Sequence, residues 1–195
     1  MLASLRRAWA GVREDVEAAL ERDPATTSGL EMVLASPGLH ALWAHRLSHA
    51  MWRRGVRLPA RVLSQVTRSV TGVEIHPGAR LGRRLFIDHG MGVVIGETAQ
   101  VGDDVMLYHG VTLGGRTMQR VKRHPTVGDG VTMGAGARVL GPVVIGEGAQ
   151  IGANAVVVKD VPAHAIATGV PARIRLPQPQ EDPLEALYAE PALWI

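Results

Sequence analysis

The chain has 195 residues, a formal net charge of +3 and no cysteine. The missing cysteine excludes a disulfide framework, a thiolate nucleophile and a Cys-ligated metal site, and it fits a reducing compartment. Arginine supplies nearly all the positive charge but is scattered, and aromatics make up only 4%; without a basic stripe or aromatic platforms, the pattern disfavours nucleic acid and suits a phosphate-bearing small ligand.

No apolar run reaches membrane-spanning length. Residues 1–22 begin basic, yet they carry Glu14, Asp15, Glu17 and Glu21, which a targeting segment avoids. The cytoplasm is the expected location.

The first third reads as helix. Leu2, Leu5, Trp9, Val12, Val16 and Ala19 follow the three-four spacing of one apolar face. Asp23-Pro24 ends that helix, because a residue before proline avoids the helical region. A second helix is expected from about Pro37 to Arg54, with Leu39, Leu42, Trp43, Leu47, Ala50 and Met51 inward and Gly55 as its stop. Pro59 opens a third, carrying Val62, Leu63, Val66 and Val70.

At Gly72 the period changes to six. Ile75, Leu81, Ile87 and Val93 form one series; after a two-residue slip it resumes at Ile95, Val101, Leu107 and Leu113. A further series runs Val127, Met133, Val139, Ile145, Ile151 and Val157. Such self-similarity is the mark of a parallel β-helix, in which each hexad gives one short strand and one turn and three hexads close a triangular coil. The apolar residue points inward, a small neighbour such as Ala79, Ala99 or Ala137 packs beside it, and coils stack because one alone cannot bury its face.

The repeat breaks at Gly114 to Thr126, a polar, basic stretch expected to project as a loop. A long loop on a rigid scaffold is a common place for function, although a neutral insertion reads the same way. The chain thus divides into an α-helical region at 1–71, a β-helix at 72–175 with an extruded loop at 114–126, and a flexible tail at 176–195.

His76, His89, His109, His124 and His164 fall in the β-helix. A lone histidine is more often structural than catalytic. His89 adjoins Asp88, and His124 ends the extruded loop in Arg123-His124-Pro125. A general base needs an imidazole near neutral pKa, a carboxylate to fix its tautomer and reach to a hydroxyl. Spacing alone does not decide between a catalytic and a structural His89.

The segments from Asp88-His89-Gly90 to Gly96-Glu97-Thr98, Val111-Thr112-Leu113-Gly114-Gly115, Arg123-His124-Pro125, Gly134-Ala135-Gly136-Ala137 and Gly169-Val170-Pro171-Ala172-Arg173 resemble the serine acetyltransferase family in order and spacing. Upstream, Glu21-Arg22-Asp23-Pro24-Ala25 resembles that family too, and the match spans roughly residues 14 to 175. The Gly-Val-Pro-Ala-Arg end is common to many hexapeptide acetyltransferases. The Asp-His pair, the Arg-His-Pro loop and the Arg-Asp-Pro segment together are specific.

The resemblance implies a mainly β, left-handed parallel β-helix. It also implies transfer of an acetyl group from acetyl-CoA to the L-serine hydroxyl, the first step of cysteine biosynthesis, with no permanently bound cofactor and no metal. His89 would take the serine proton, and His124 would bind serine and position or polarise the reacting groups. Arg123 would hold the serine carboxylate, and Asp23 and Asp88 the amino and hydroxyl region. Glu74 stands where the family usually has an aspartate bonded to the catalytic imidazole, and it also reads as an exposed turn carboxylate. Gly115, Ala135 and Ala153 would approach the pantetheine arm, with Lys159 or Arg173 at the phosphates; for the glycine and alanines, ordinary coil packing is the other reading. Family members are trimers with sites between subunits, His89 and His124 coming from different chains, and some join two trimers. A tail ending in Ile195 would dock on O-acetylserine sulfhydrylase, or is simply an apolar terminus.

Other readings use the same prism. A γ-type carbonic anhydrase would gather three histidines on zinc. An acetyltransferase could act on a sugar or another amine or alcohol. A non-catalytic scaffold would dock a partner through its tail.

Overall fold

A computed structural model describes residues 2–176, with side chains from residue 9 onward. The expected tail, including Ile195, lies outside the described residues apart from Leu176.

Four helices precede the strands: α1 (Leu2–Arg22), α2 (Gly29–Ala35), α3 (Pro37–Arg53) and α4 (Arg57–Thr71). α1 stops where Asp23-Pro24 requires. α2 was not expected: seven residues are too few to show a period, and its sign is the Ser28 cap with Glu31 three residues on. α3 starts with Ser36 as N-cap and Pro37 in the first turn, and Gly55 follows its end at φ +81. α4 begins two residues ahead of Pro59.

Two inward assignments are corrected. Leu47 is 58% exposed, because α3 buries Leu39, Ala41, Leu42, His45 and Ser48 and so turns Leu47 outward. Trp9 is 70% exposed, because the small core around α1 forms on its C-terminal half, where Ala19 meets Met32, Leu39 and Phe86. In that half the buried Asp15 carboxylate is satisfied by Trp43 Nε1 at 3.0 Å and Arg46 Nη2 at 2.8 Å, which ties α1 to α3.

The strands are short: β1 (Glu74–Ile75), β2 (Arg80–Leu81), β3 (Phe86–Ile87), β4 (Val94–Ile95), β5 (Gln100–Val101), β6 (Met106–Leu107), β7 (Thr112–Gly114), β8 (Thr126–Val127), β9 (Thr132–Met133), β10 (Arg138–Leu140), β11 (Val144–Ile145), β12 (Gln150–Ile151), β13 (Val156–Val157), β14 (Ile166–Thr168) and β15 (Arg173–Arg175). They stack into three faces, β1-β4-β7-β10-β13, β2-β5-β8-β11 and β3-β6-β9-β12-β14, all parallel, and antiparallel β15 ends the third. Ile75, Ile95, Leu113, Val139 and Val157 are in register on face one, as the hexads require. The slip lies between Ile87 and Ile95: the first coil is two residues longer than the second, and the extra chain forms the turn His89–Gly92. Val93 is buried beside Ile95. The interrupted hexad emerges as residues 115–125, between β7 and β8.

The prism core holds Leu107, Leu113, Met133, Ile145 and Ile151, each 0% exposed, with Ala79, Ala137, Ala149 and Ala155 beside them. Each such large side chain contributes about 1.5–3 kcal/mol. α3 closes the top of this core. A Cβ on Gly38 would lie 2.1 Å from the Ile87 carbonyl oxygen, so only glycine lets the start of α3 lie on β3.

The seam between α3 and the first coil is lined with imidazoles. His45 is 5% exposed, and its Nδ1 is a buried nitrogen without a partner among the described residues. His49 Nδ1 bonds the Pro77 carbonyl at 2.8 Å, and His76 stands edge-on to Trp52 with ring centres 5.0 Å apart. Burial and neighbouring His49 push His45 down to about 3, and burial and Arg61 push His76 down to about 4, from 6.5. Both groups bind fewer protons folded than unfolded, so their stabilisation is present above 6.5 and is lost as pH falls, through about 4 for His76 and about 3 for His45. The urea midpoint is expected to drop steadily between pH 7.5 and 5, above the carboxylate range; a flat midpoint there would show that the seam imidazoles are not held neutral.

Candidate active site

The prism has three edges: the first joins face three to face one, the second face one to face two, the third face two to face three. Asp88 and His89 leave β3 at the first edge. His89 has φ +58, its side chain is 72% exposed, and its Nε2 lies 3.6 Å from an Asp88 oxygen. The turns below stack by main-chain bonds: Gly110 N donates to the Met91 carbonyl, Gly136 N to that of His109 and Asn154 N to that of Ala135, each at 2.8 Å. His109 therefore sits one coil below His89, the two rings meeting edge to face at 5.9 Å, and Ala135 and Ala153 continue the column.

The helical region completes this side. Arg22 donates to the Arg84 carbonyl at 2.6 Å and to Asp104 at 3.1 Å, and Arg84 itself pairs with Asp104 at the third edge. This clamp holds the end of α1 against the coil and sets Asp23 over face three. The Asp23 carboxylate accepts from Ala25 N and Thr26 Oγ1, both at 2.8 Å. Asp23, Thr26, Asp88, His89 and Tyr108 line one cleft of about 450 Å³. Burial, and then Asp88, raise the Tyr108 pKa.

The second edge carries the loop. Arg123 Nη2 donates to Glu97 at 3.0 Å, and Lys122 Nζ donates to the Thr98 carbonyl at 2.7 Å and to that of Pro125 at 3.0 Å. His124 is buried against Gly96, where a Cβ would lie 2.0 Å from its ring. Burial, then Arg123, hold its pKa below the ordinary imidazole value. Gly115 lies beside it: a Cβ there would be 3.3 Å from His124 Nε2.

The expected residues thus form two groups in one chain. Asp23, Asp88 and His89 share the cleft at the first edge, above Ala135 and Ala153. Arg123, His124 and Gly115 gather at the second edge, where exposed Lys159 also lies, and Arg173 is exposed on β15. Glu74 pairs with Arg68 of α4 at 3.3 Å and makes no hydrogen bond to His89; its strand nevertheless starts over the His89 turn, where Gly92 N donates to the Gly72 carbonyl at 2.9 Å. Sequence reasoning missed Arg22, Glu97, Thr98, Tyr108 and His109 as parts of these groups. Among the described residues, no group of three or more His, Cys, Asp or Glu side chains is placed to hold a metal ion. No helix among them is long and apolar enough to cross a membrane.

Residues 124–159 match the family model described as bacterial transferase hexapeptide (six repeats). The serine acetyltransferase of Mycobacterium tuberculosis is 61% identical over 163 residues, 84% of this chain and 71% of that protein. The chain belongs to the serine acetyltransferase family. The solved structure of the Neisseria gonorrhoeae serine acetyltransferase in complex with serine superimposes with a TM-score of 0.84 at 43% identity, covering 87% of this chain and 69% of that one. That of Brucella abortus in complex with coenzyme A gives 0.84 at 42% identity, covering 88% and 69%. This member of the serine acetyltransferases is accordingly an acyltransferase, and its β-helix is left-handed.

Proposed function

We propose that the chain transfers the acetyl group of acetyl-CoA to the hydroxyl of L-serine, giving O-acetyl-L-serine and CoA, the first step of cysteine biosynthesis from serine. The observation that carries this reading is the cleft lined together by Asp23, Asp88 and the exposed His89, in a chain 61% identical to a serine acetyltransferase. Two carboxylates suit an ammonium and a hydroxyl at one end of a small zwitterion. Arg123, with its planar fork, suits the carboxylate at the other end.

His89 removes the hydroxyl proton as the serine oxygen attacks the thioester carbonyl. The tetrahedral intermediate collapses, the carbon–sulfur bond breaks, and the thiolate takes the proton back from the imidazolium. Direct transfer between two bound substrates needs no covalent enzyme intermediate, which agrees with a chain without cysteine. Glu74 orients His89 once it turns from Arg68.

Asp23, Asp88 and His89 lie on one edge and Arg123 and His124 on another, so a serine held by both sets lies between two copies of the chain. A cyclic homotrimer meets that requirement, each copy lending its first edge to one site and its second to the next; a dimer of trimers is compatible with it. Acetyl-CoA then runs in the groove between prisms, past Ala135 and Ala153 on one side and Gly115 on the other, with Lys159 or Arg173 toward its phosphates. No permanent cofactor or metal takes part in these steps. The lack of cysteine accords with a cytoplasmic enzyme. Ile195 is the proposed anchor for O-acetylserine sulfhydrylase, and deleting it should abolish that association while sparing catalysis.

The experiment is a thiol-release assay with acetyl-CoA and L-serine against a panel of sugars, amines and other hydroxy amino acids. Turnover with serine far above the rest is expected. A sugar or amine turned over faster would replace the reading with its nearest rival.

A further inference from the structure

Thr98 follows Glu97 in the turn after β4, and beside the Lys122 bond to its carbonyl, four contacts join its hydroxyl and amide to the loop. Its Oγ1 accepts from Arg123 N at 3.0 Å and from His124 N at 3.1 Å. The same oxygen lies 2.9 Å from His124 Nδ1, and Thr98 N donates to that nitrogen at 3.1 Å.

A hydroxyl has two lone pairs and one proton. Both lone pairs of Thr98 are taken by main-chain donors, so its proton is left for Nδ1. Nδ1 then receives two donors, the hydroxyl and the Thr98 amide, and has no room for a proton of its own. The neutral ring must carry its proton on Nε2, the nitrogen beside Gly115. Protonating the ring would set an N–H against an N–H and break both bonds. The charged neighbours work in the same direction on balance: Arg123 and Lys122 on the loop and His76 from the turn after β1 disfavour a cation, and Glu97 alone favours it.

We propose that Thr98 is a positioning residue that locks His124 as the neutral Nε2–H tautomer, so that His124 serves acetyl transfer as a hydrogen-bond donor to a substrate oxygen and never as a base. This rests on the reaction given above and divides its labour. His89 stands exposed at the cleft; His124 is buried and held by two donors, and it can only give a hydrogen bond. Thr98 also fixes the Arg123 and His124 amides, so one hydroxyl sets both the place of the loop and the chemistry of its imidazole.

The test is nitrogen-15 NMR of the full-length protein labelled at histidine, with His124 assigned from its loss in His124→Gln. The expected spectrum shows His124 with an unprotonated Nδ1 and a protonated Nε2, unchanged from pH 8 to pH 6. An Nδ1–H tautomer, or a ring that is cationic at pH 7, would overturn the proposal. Thr98→Val keeps the residue-98 amide but loses the hydroxyl donor and both loop anchors, so the His124 signals are expected to move part of the way toward a tautomer average, and the serine KM to rise about 10-fold with the acetyl-CoA KM within about 2-fold. Thr98→Ser should restore both, and wild-type tautomer signals in Thr98→Val would assign the lock elsewhere. The spectrum needs no substrate, so its outcome is separable from that of the serine assay.

Discussion

Replacing His89 by alanine is expected to lower turnover by about 10²- to 10⁴-fold, the range a positioned general base supplies, with acetyl-CoA binding retained. The fold should tolerate the change, because the His89 side chain is 72% exposed and takes no part in the prism core. Its backbone sets a further condition. His89 has φ +58, a conformation in which alanine is strained and asparagine is at home. His89→Asn is therefore the cleaner variant, and both should show the same loss if the imidazole is what matters. The checks are kcat by thiol release, acetyl-CoA affinity by calorimetry, and the unfolding midpoint. Near-normal turnover in either variant would remove His89 from the role of base. A loss in alanine alone would point to the strained turn instead.

Arg123→Ala is expected to raise the serine KM by about 10²-fold, as loss of a charge-assisted bidentate contact does, with the acetyl-CoA KM within about 2-fold. Arg123 is already oriented: Glu97 holds Nη2 at 3.0 Å, and Thr98 accepts from its amide. Arg123→Lys keeps the charge and loses the planar fork, and it should fall between wild type and alanine. Glu97→Gln should raise the serine KM by less, since it frees the guanidinium without removing it. Steady-state kinetics with each substrate varied in turn reads all three. An equal rise in both KM values would take Arg123 out of the serine site.

These expectations rest on features that the sequence exposes to different degrees. The period of six yields the prism, its apolar rows and the projecting loop, because each coil repeats the same inward demand at Ile75, Ile95, Leu113, Val139 and Val157. The same register could have placed His109: Ile87 pairs with Leu107, so the residue two beyond one lies over the residue two beyond the other. The part Thr98 plays is hidden for a different reason. Its value lies in meeting a loop that leaves the repeat, and periodicity says nothing of where such a loop returns. Side-chain reach decides the partner of Glu74: the last turn of α4 puts Arg68 within 3.3 Å, and no pattern in the strands foretells that. The helices show the same limit. Spacing found α1, α3 and α4, but their rotation follows from what each packs on, so Leu47 faces outward while His45 and Ser48 face in.

Mixing two inactive variants shows whether one site takes the first edge of one chain and the second edge of another. His89→Asn lacks the base and His124→Ala lacks the loop imidazole, and neither alone should turn over appreciably. In trimers formed from equal amounts of both, a site that takes His89 from one copy and His124 from the next is intact in about a quarter of cases. Recovery of about a quarter of wild-type activity is expected; activity no higher than the mean of the two variants would show that the two edges do not meet in one shared site.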